Sequence, residues 1–243
     1  MSRVAVVTGG ASGIGLGVGK RFTADGYRVA LLDNNQQSLD NAGAELPDAL
    51  TVQVDVSDRA SVTAAFDRVK ADLGPTEILV TSAGIESFKS VMDITPEIWD
   101  RIIAVNLTGT FLCCQAVIPD MQAAKWGRIV TIASSSALSG APKMTHYAAS
   151  KGGVIGLTRA LAVELARQGI TANTIPPTMV DTPMARHATE TGDFPGVDVI
   201  APMVPLGRAG TPADIAGACS YLCGPDGDYI TGQMINVNGG MYI

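Results

Sequence analysis

Short apolar runs alternate with longer segments of helical spacing along almost the whole chain. Arg3–Thr8, Arg28–Asp33, Leu50–Asp55, Glu77–Ser82, Gly127–Ser134, Thr171–Ile175 and Gln233–Val237 have the apolar, β-branched character of strands buried on both faces. Between them, helical spacing runs through Val18, Phe22 and Ala24, over Ser57–Leu73, over 95–123, from Tyr147 to Gln168 before Gly169, and from Thr211-Pro212 to Cys223. This alternation predicts an α/β fold: one doubly wound Rossmann-type domain over residues 1–243, with a mostly parallel seven-stranded sheet and helices on both faces. No repeat, low-complexity tract or linker interrupts it.

The stretch 183–208 has no regular period. It sets Phe194, Val197, Val199, Ile200, Met203 and Val204 among glycines and prolines. A loop this apolar reads as a lid or pocket wall, or as a surface loop tucked against its own core. The first reading makes it the substrate loop and the substrate largely apolar.

Composition adds mainly exclusions. A hydrophobic content of 47% with 16% charged residues suits a packed core. Net charge −6 and pI ≈ 4.8 give no general basic surface for nucleic acid or an anionic membrane. No apolar run reads as a membrane span or a signal-peptide core, so the expected localisation is cytoplasmic. Cys113, Cys114, Cys219 and Cys223 form no disulfide framework or metal-ligand spacing, and read as packing thiols.

Two clusters carry candidate chemistry. After the first strand come Gly9, Gly10, Gly13, Gly15 and Gly17, with Ser12 and Ile14 between them, and then a helix. Glycines let backbone amides approach a pyrophosphate, and a helix N-terminus offers free N–H groups and a positive dipole end. Asp33 closes the second strand about twenty residues on, where such units receive the ribose hydroxyls. The same Asp33 would also serve as a plain cap of the next helix. A carboxylate repels a 2′-phosphate, and neither Asn34, Asn35 nor Ser12 offers a cation, so the expected cofactor is NAD rather than NADP. The second cluster is Tyr147 and Lys151, four positions apart on one helical face. A phenol titrates near ~10 and needs a shift of roughly three units to exchange protons near neutrality, which a nearby cation supplies. Alone, the pair is equally an ordinary Tyr/Lys spacing.

Assembled, these residues resemble the short-chain dehydrogenase/reductase family from about Val4 to the C-terminus. Thr8-Gly-Gly-Ala-Ser-Gly-Ile-Gly15 matches its glycine motif, Asn106 its catalytic asparagine, Ser134 its catalytic serine and Tyr147-Ala-Ala-Ser-Lys151 its Tyr-x-x-x-Lys motif. The resemblance implies that Tyr147 exchanges the proton, Lys151 lowers its pKa and holds the nicotinamide ribose, Ser134 orients the substrate oxygen, and Asn106 holds a water leading to Lys151. It further implies cofactor contacts from Asp55, Val56, Ala83, Gly84, Val180 and Thr182, no catalytic metal, and a homotetramer built through 95–123, 147–168 and the last strand. The apolar Cys113, Cys114, Val117 and Ile118 exceed what one helix face needs, which suits such an assembly.

Two departures stand out. Ser82 occupies the place of the family's asparagine in Asn-Ala-Gly, and Thr178 follows Pro176-Pro177 where the family reads Pro-Gly. A glycine takes a positive φ that threonine resists, so a reshaped pocket floor is expected. Glu86, Ser136, Ala137, Met144, His146, Met179 and Met184 are placed around the pocket, with His146 at its rim. Glu86 reads either as a partner for a polar substrate group or as a solvated charge. The leading expectation is an NAD(H)-dependent enzyme interconverting a secondary alcohol and its ketone. A 3-oxoacyl thioester reductase and a catalytically silent dinucleotide sensor are the alternatives.

Overall fold

A computed structural model describes residues 2–242. In chain order the first half consists of β1 (Val4–Thr8), α1 (Gly13–Ala24), β2 (Arg28–Asp33), α2 (Gln36–Glu45), β3 (Leu50–Gln53), α3 (Arg59–Leu73), β4 (Thr76–Thr81) and α4 (Pro96–Ile103). The second half has α5 (Gly109–Ala124), β5 (Gly127–Ile132), α6 (Ser136–Ser139), α7 (Thr145–Leu165), β6 (Ile170–Ile175), α8 (Pro183–Glu190), α9 (Val197–Ile200) and α10 (Pro212–Cys223).

The strands pair in the order β3-β2-β1-β4-β5-β6, all parallel. Successive side chains on a strand point to opposite faces, which divides the apolar residues between two cores. Val4, Val6, Leu32, Leu79 and Ile129 pack with α3, α5 and α7. Ala5, Val7, Leu31, Ile78, Val80 and Val130 pack with α1, α2 and α10. Burying a side chain such as Leu31 stabilises the fold by about 1.5–3 kcal/mol. The strand order reverses between β1 and β4, which opens a crevice at their carboxyl ends.

Several expectations need correction. The sheet has six strands, not seven. The 233–237 run meets β6 only as a single parallel bridge, Thr174 to Met234. Upstream, the Asn173 side chain takes the Ile230 carbonyl and the Gln233 N–H, bonds that a further ladder rung would have used. Downstream, Gly239 and Gly240 turn the chain away at positive φ. The 183–208 stretch is largely helical, with α8, α9 and a 3₁₀ turn at Ala201–Met203. Thr182 starts α8 by accepting from the Ala185 N–H, a cap the irregular composition hid. Helix α2 lacked a visible period because only Leu39 and Ala42 are buried in it; the Asn35 side chain caps it at the Ser38 N–H.

The predicted 95–123 helix is α4 and α5 joined by a π-helical segment, Ala104–Thr108. Counter to expectation, the 96–124 run is long and apolar enough for a membrane span, although half of its most apolar window is buried within the fold. Cys113, Cys114 and Val117 lie in the core rather than on an interface. The large apolar side chains left exposed on α5 and α7 are instead Phe111 and Val163.

Candidate active site

The crevice between β1 and β4 continues into one cavity of about 560 Å³. One wall is the glycine turn. Gly9 has φ +64 and packs so closely on the turn after β4 that an added Cβ would sit 2.7 Å from the Ala83 nitrogen. Gly15 does not line the cavity; a Cβ there would fall 2.1 Å from the Gly9 carbonyl, so its role is to let α1 close onto the turn. The Ser12 side chain makes no cap bond to α1, whose first turn, with Gly13 and Ile14, faces the cavity. An uncapped helix N-terminus behind a glycine turn fits the pyrophosphate of a dinucleotide.

Asp33 stands at the far end of the same wall. Its carboxylate accepts from the Ala11 N–H at 3.3 Å and the Asn35 N–H at 3.1 Å, which fixes it beside the glycine turn. Asp55, Val56, Ala83, Gly84, Val180 and Thr182 also line the cavity. Ser57 donates to Asp55 from its hydroxyl and its N–H, and these bonds hold the Asp55 carboxyl below its ordinary value. Arg101, which the sequence reading missed, lines this end and lies 3.9 Å from Asp55. Its signal was weak, a single cation on the polar face of α4.

Ser134 follows β5, while Tyr147 and Lys151 lie one turn apart on α7, and all three side chains meet in the cavity. The Ser134 Oγ accepts from the Ser136 hydroxyl at 2.9 Å and its N–H at 3.2 Å. Enclosure pushes the Tyr147 phenol above its ordinary value; the Glu86 carboxylate acts in the same direction and a hydrogen bond with Ser134 opposes both. Burial pushes the Lys151 ammonium down to about 8. Lys151 Nζ donates to the Ile132 carbonyl at 2.9 Å and stands 5.8 Å from the centre of the Tyr147 ring. Enclosure, Glu86 and Ser134, rather than Lys151, act on the phenol in this arrangement.

Asn106 lies behind the cavity wall, fully buried within the π segment. Its Oδ1 accepts from the Ile85 N–H at 2.9 Å, and its Nδ2 donates to the Ile85 carbonyl at 3.0 Å and to the Ser150 Oγ at 3.1 Å. The wide π turn brings this side chain between α7 and the segment after β4. A Cβ on Gly84 would lie 3.3 Å from Asn106 Oδ1 and 3.4 Å from Lys151 Nζ, so only the bare glycine separates the two.

Glu86, Ser136, Met144, Thr178, Met179 and Met184 line the other half of the cavity, with Phe88 and Phe194. Ala137 and His146 do not. His146 has no exposed surface and shares a 2.5 Å hydrogen bond with the Ser87 hydroxyl. Thr178 avoids the left-handed region, and its Oγ1 is enclosed without a hydrogen-bond partner. Ser82 keeps the turn in place through its N–H, which donates to the Thr8 carbonyl at 3.1 Å. Among the described residues no group of three His, Cys, Asp or Glu side chains is arranged to hold a metal ion.

Residues 9–242 match the family model described as Enoyl-(Acyl carrier protein) reductase. The 3-oxoacyl-[acyl-carrier-protein] reductase MabA of Mycobacterium tuberculosis is 39% identical over 242 residues, covering 99% of this chain and 93% of that protein. The chain belongs to the short-chain dehydrogenase/reductase family. Among its relatives is also the 2-(R)-hydroxypropyl-CoM dehydrogenase of Xanthobacter autotrophicus, 38% identical over 247 residues with 98% of each chain covered. The crystal structure of a 3-ketoacyl-(acyl-carrier-protein) reductase from Brucella melitensis complexed with NADH superposes with a TM-score of 0.92 at 32% identity, over 99% of this chain and 98% of that one. As a short-chain dehydrogenase/reductase the chain is an oxidoreductase whose fold binds a nicotinamide dinucleotide.

Proposed function

We propose that this oxidoreductase interconverts a secondary alcohol and its ketone with NAD(H). The observation that carries the reading is the meeting of Ser134, Tyr147 and Lys151 in the same cavity as the glycine turn. When bound, the nicotinamide supplies or accepts the hydride. The protein's own groups supply the proton and the geometry. Ser134 Oγ holds the reacting oxygen, and the Tyr147 hydroxyl gives it a proton in reduction and takes one in oxidation. Lys151 holds the nicotinamide ribose, and Asn106 keeps the wall beside Lys151 in place.

Asp33 supports NAD(H) over NADP(H), because its carboxylate sits where an added 2′-phosphate would bring like charge. Arg101 does not offset this, since it is directed to Asp55 and Ser57. The apolar side chains of Phe88, Met144, Met179, Met184 and Phe194 support a substrate with a largely apolar body. Exposed Phe111 and Val163 on the two long helices support a homotetramer, which light scattering would test.

The relatives favour one particular ketone, the 3-oxoacyl thioester named in the MabA and Brucella descriptions. A thioester offers acceptors where Glu86 presents a carboxylate, and that argues for a different carbonyl compound. Steady-state rates with NADH and NADPH on a panel of ketones that includes acetoacetyl-CoA decide both questions. The proposal expects kcat/KM at least tenfold higher with NADH, and faster turnover of simple ketones than of the thioester. A preference for NADPH with acetoacetyl-CoA would replace it with the thioester reading, and NADH binding without turnover of any ketone would favour a silent sensor.

A further inference from the structure

Glu86 occupies an unusual setting in the cavity. The segment after β4 has no regular structure, yet the residues on both sides of Glu86 are pinned. Ile85 is held at its N–H and its carbonyl by the Asn106 side chain. Ser87 is held through its hydroxyl by His146, the residue next to Tyr147. Lys89 is tied down as well, its N–H donating 2.8 Å to the Lys143 carbonyl. A solvated loop charge would need none of this. The carboxyl is partly buried, lines the substrate half beside apolar side chains, and its charge is felt at the Tyr147 phenol.

We infer that Glu86 is a specificity-determining residue that reads a hydroxyl group on the substrate beside its reacting carbonyl. The inference rests on the alcohol/ketone reading and names the class of ketone within it. The chemistry selects the ligand. A carboxylate among apolar walls gains most from a group that donates a hydrogen bond and adds no charge of its own to bury. A second carboxylate or a phosphate at that place would meet like charge from Glu86 and from Asp193. A plain hydrocarbon there would leave the Glu86 oxygens without a partner once water is displaced. Asp193 and His187 on the 183–208 stretch act on Glu86, which in turn acts on Tyr147, and Lys151 lines the same cavity; desolvation and Asp193 raise the Glu86 pKa to about 7, while His187 opposes them. The discrimination should therefore depend on pH.

The test uses two matched ketone pairs, 2-hydroxyacetophenone with acetophenone and 4-hydroxy-2-butanone with 2-butanone, reduced with NADH by wild type, Glu86→Ala and Glu86→Gln. The expected wild-type kcat/KM is at least tenfold higher for the hydroxylated member of a pair. Glu86→Ala brings that ratio below threefold, because kcat/KM for the hydroxylated ketone falls more than kcat/KM for the plain one. Glu86→Gln retains an acceptor oxygen and an intermediate ratio. The wild-type ratio falls between about pH 8 and 6 as Glu86 gains its proton, while that of Glu86→Gln stays flat; a merely structural role would give neither pattern. An equal ratio in wild type and Glu86→Ala overturns the inference. Turnover of acetoacetyl-CoA but of neither pair overturns it too, and leaves the enzyme a ketone reductase. NADH binding without turnover of any of these compounds overturns the functional reading, and the inference with it.

Discussion

The Asn106 side chain grips the backbone of Ile85 at both polar groups, accepting from its N–H at 2.9 Å and donating to its carbonyl at 3.0 Å. This pairing closes a gap between the π segment and the strand-end turn that frames the cavity. Truncation to alanine would leave the Ile85 N–H and carbonyl without this partner, while the Ser150 hydroxyl would keep only its bond to the Tyr147 carbonyl. Asn106→Ala is expected to lose about 2–4 kcal/mol of stability in urea unfolding. A loss below about 0.5 kcal/mol would mean that the Ile85 segment is held by something else.

Glu86 makes stability depend on pH. Its pKa is raised to about 7 in the folded protein, chiefly by desolvation, against 4.5 for an ordinary glutamate. Below the lower value both folded and unfolded chains carry the proton, and the group contributes nothing. As pH rises from there through about 7, the unfolded chain ionises first and stability is lost. Glu86→Gln removes the penalty. Its melting temperature should match wild type near pH 4 and exceed it by about 2–4 °C at pH 8, the equivalent of roughly 1 kcal/mol for a chain of this size. An equal melting temperature at both pH values would contradict the burial of this carboxyl.

Asp33 should set the choice of cofactor. Asp33→Asn keeps one of the two oxygens that accept separately from the Ala11 and Asn35 N–H groups, and it removes the charge. The ratio of kcat/KM for NADPH over NADH should rise at least tenfold, about 1.4 kcal/mol. Cofactor titrations by fluorescence would show the same shift in Kd. No change in the ratio would mean that another part of the wall discriminates.

Thr178 separates shape from polarity at the pocket floor. Its Oγ1 is enclosed and unpartnered, so Thr178→Val should leave stability unchanged or raise it by about 1 kcal/mol. Thr178→Gly removes the side chain that lines the cavity and should change the ranking of ketones by kcat/KM. An unaltered ranking would show that Thr178 does not shape the substrate half.

Much of this was legible in the sequence because the decisive signals are local. The runs ending at Thr8 and Asp33, the glycines between them and the Tyr147/Lys151 spacing each follow from a few neighbouring residues. Features resting on long-range contacts were not legible. Nothing in Gln233–Val237 shows that Asn173 would take its first N–H, and so the seventh strand was expected. Asn106 was found as a residue, but its grip on Ile85 depends on a π turn that no short motif announces. The 183–208 stretch hid α8 because its glycines and prolines outweigh one threonine cap. Spacing along a helix also does not show where the Lys151 ammonium points. It points to the Ile132 carbonyl, and the phenol is left to the opposing influences of enclosure and Ser134.

Proton exchange by Tyr147 is the central claim, and Tyr147→Phe tests it most directly because it removes one oxygen and keeps the ring. NADH binding by fluorescence titration and NADH oxidation on the ketone panel should be measured for both proteins. The variant is expected to bind NADH with a Kd within about threefold of wild type while turnover falls at least about a hundredfold, the low end for loss of a general acid. Equal turnover by Tyr147→Phe and wild type would contradict the claim.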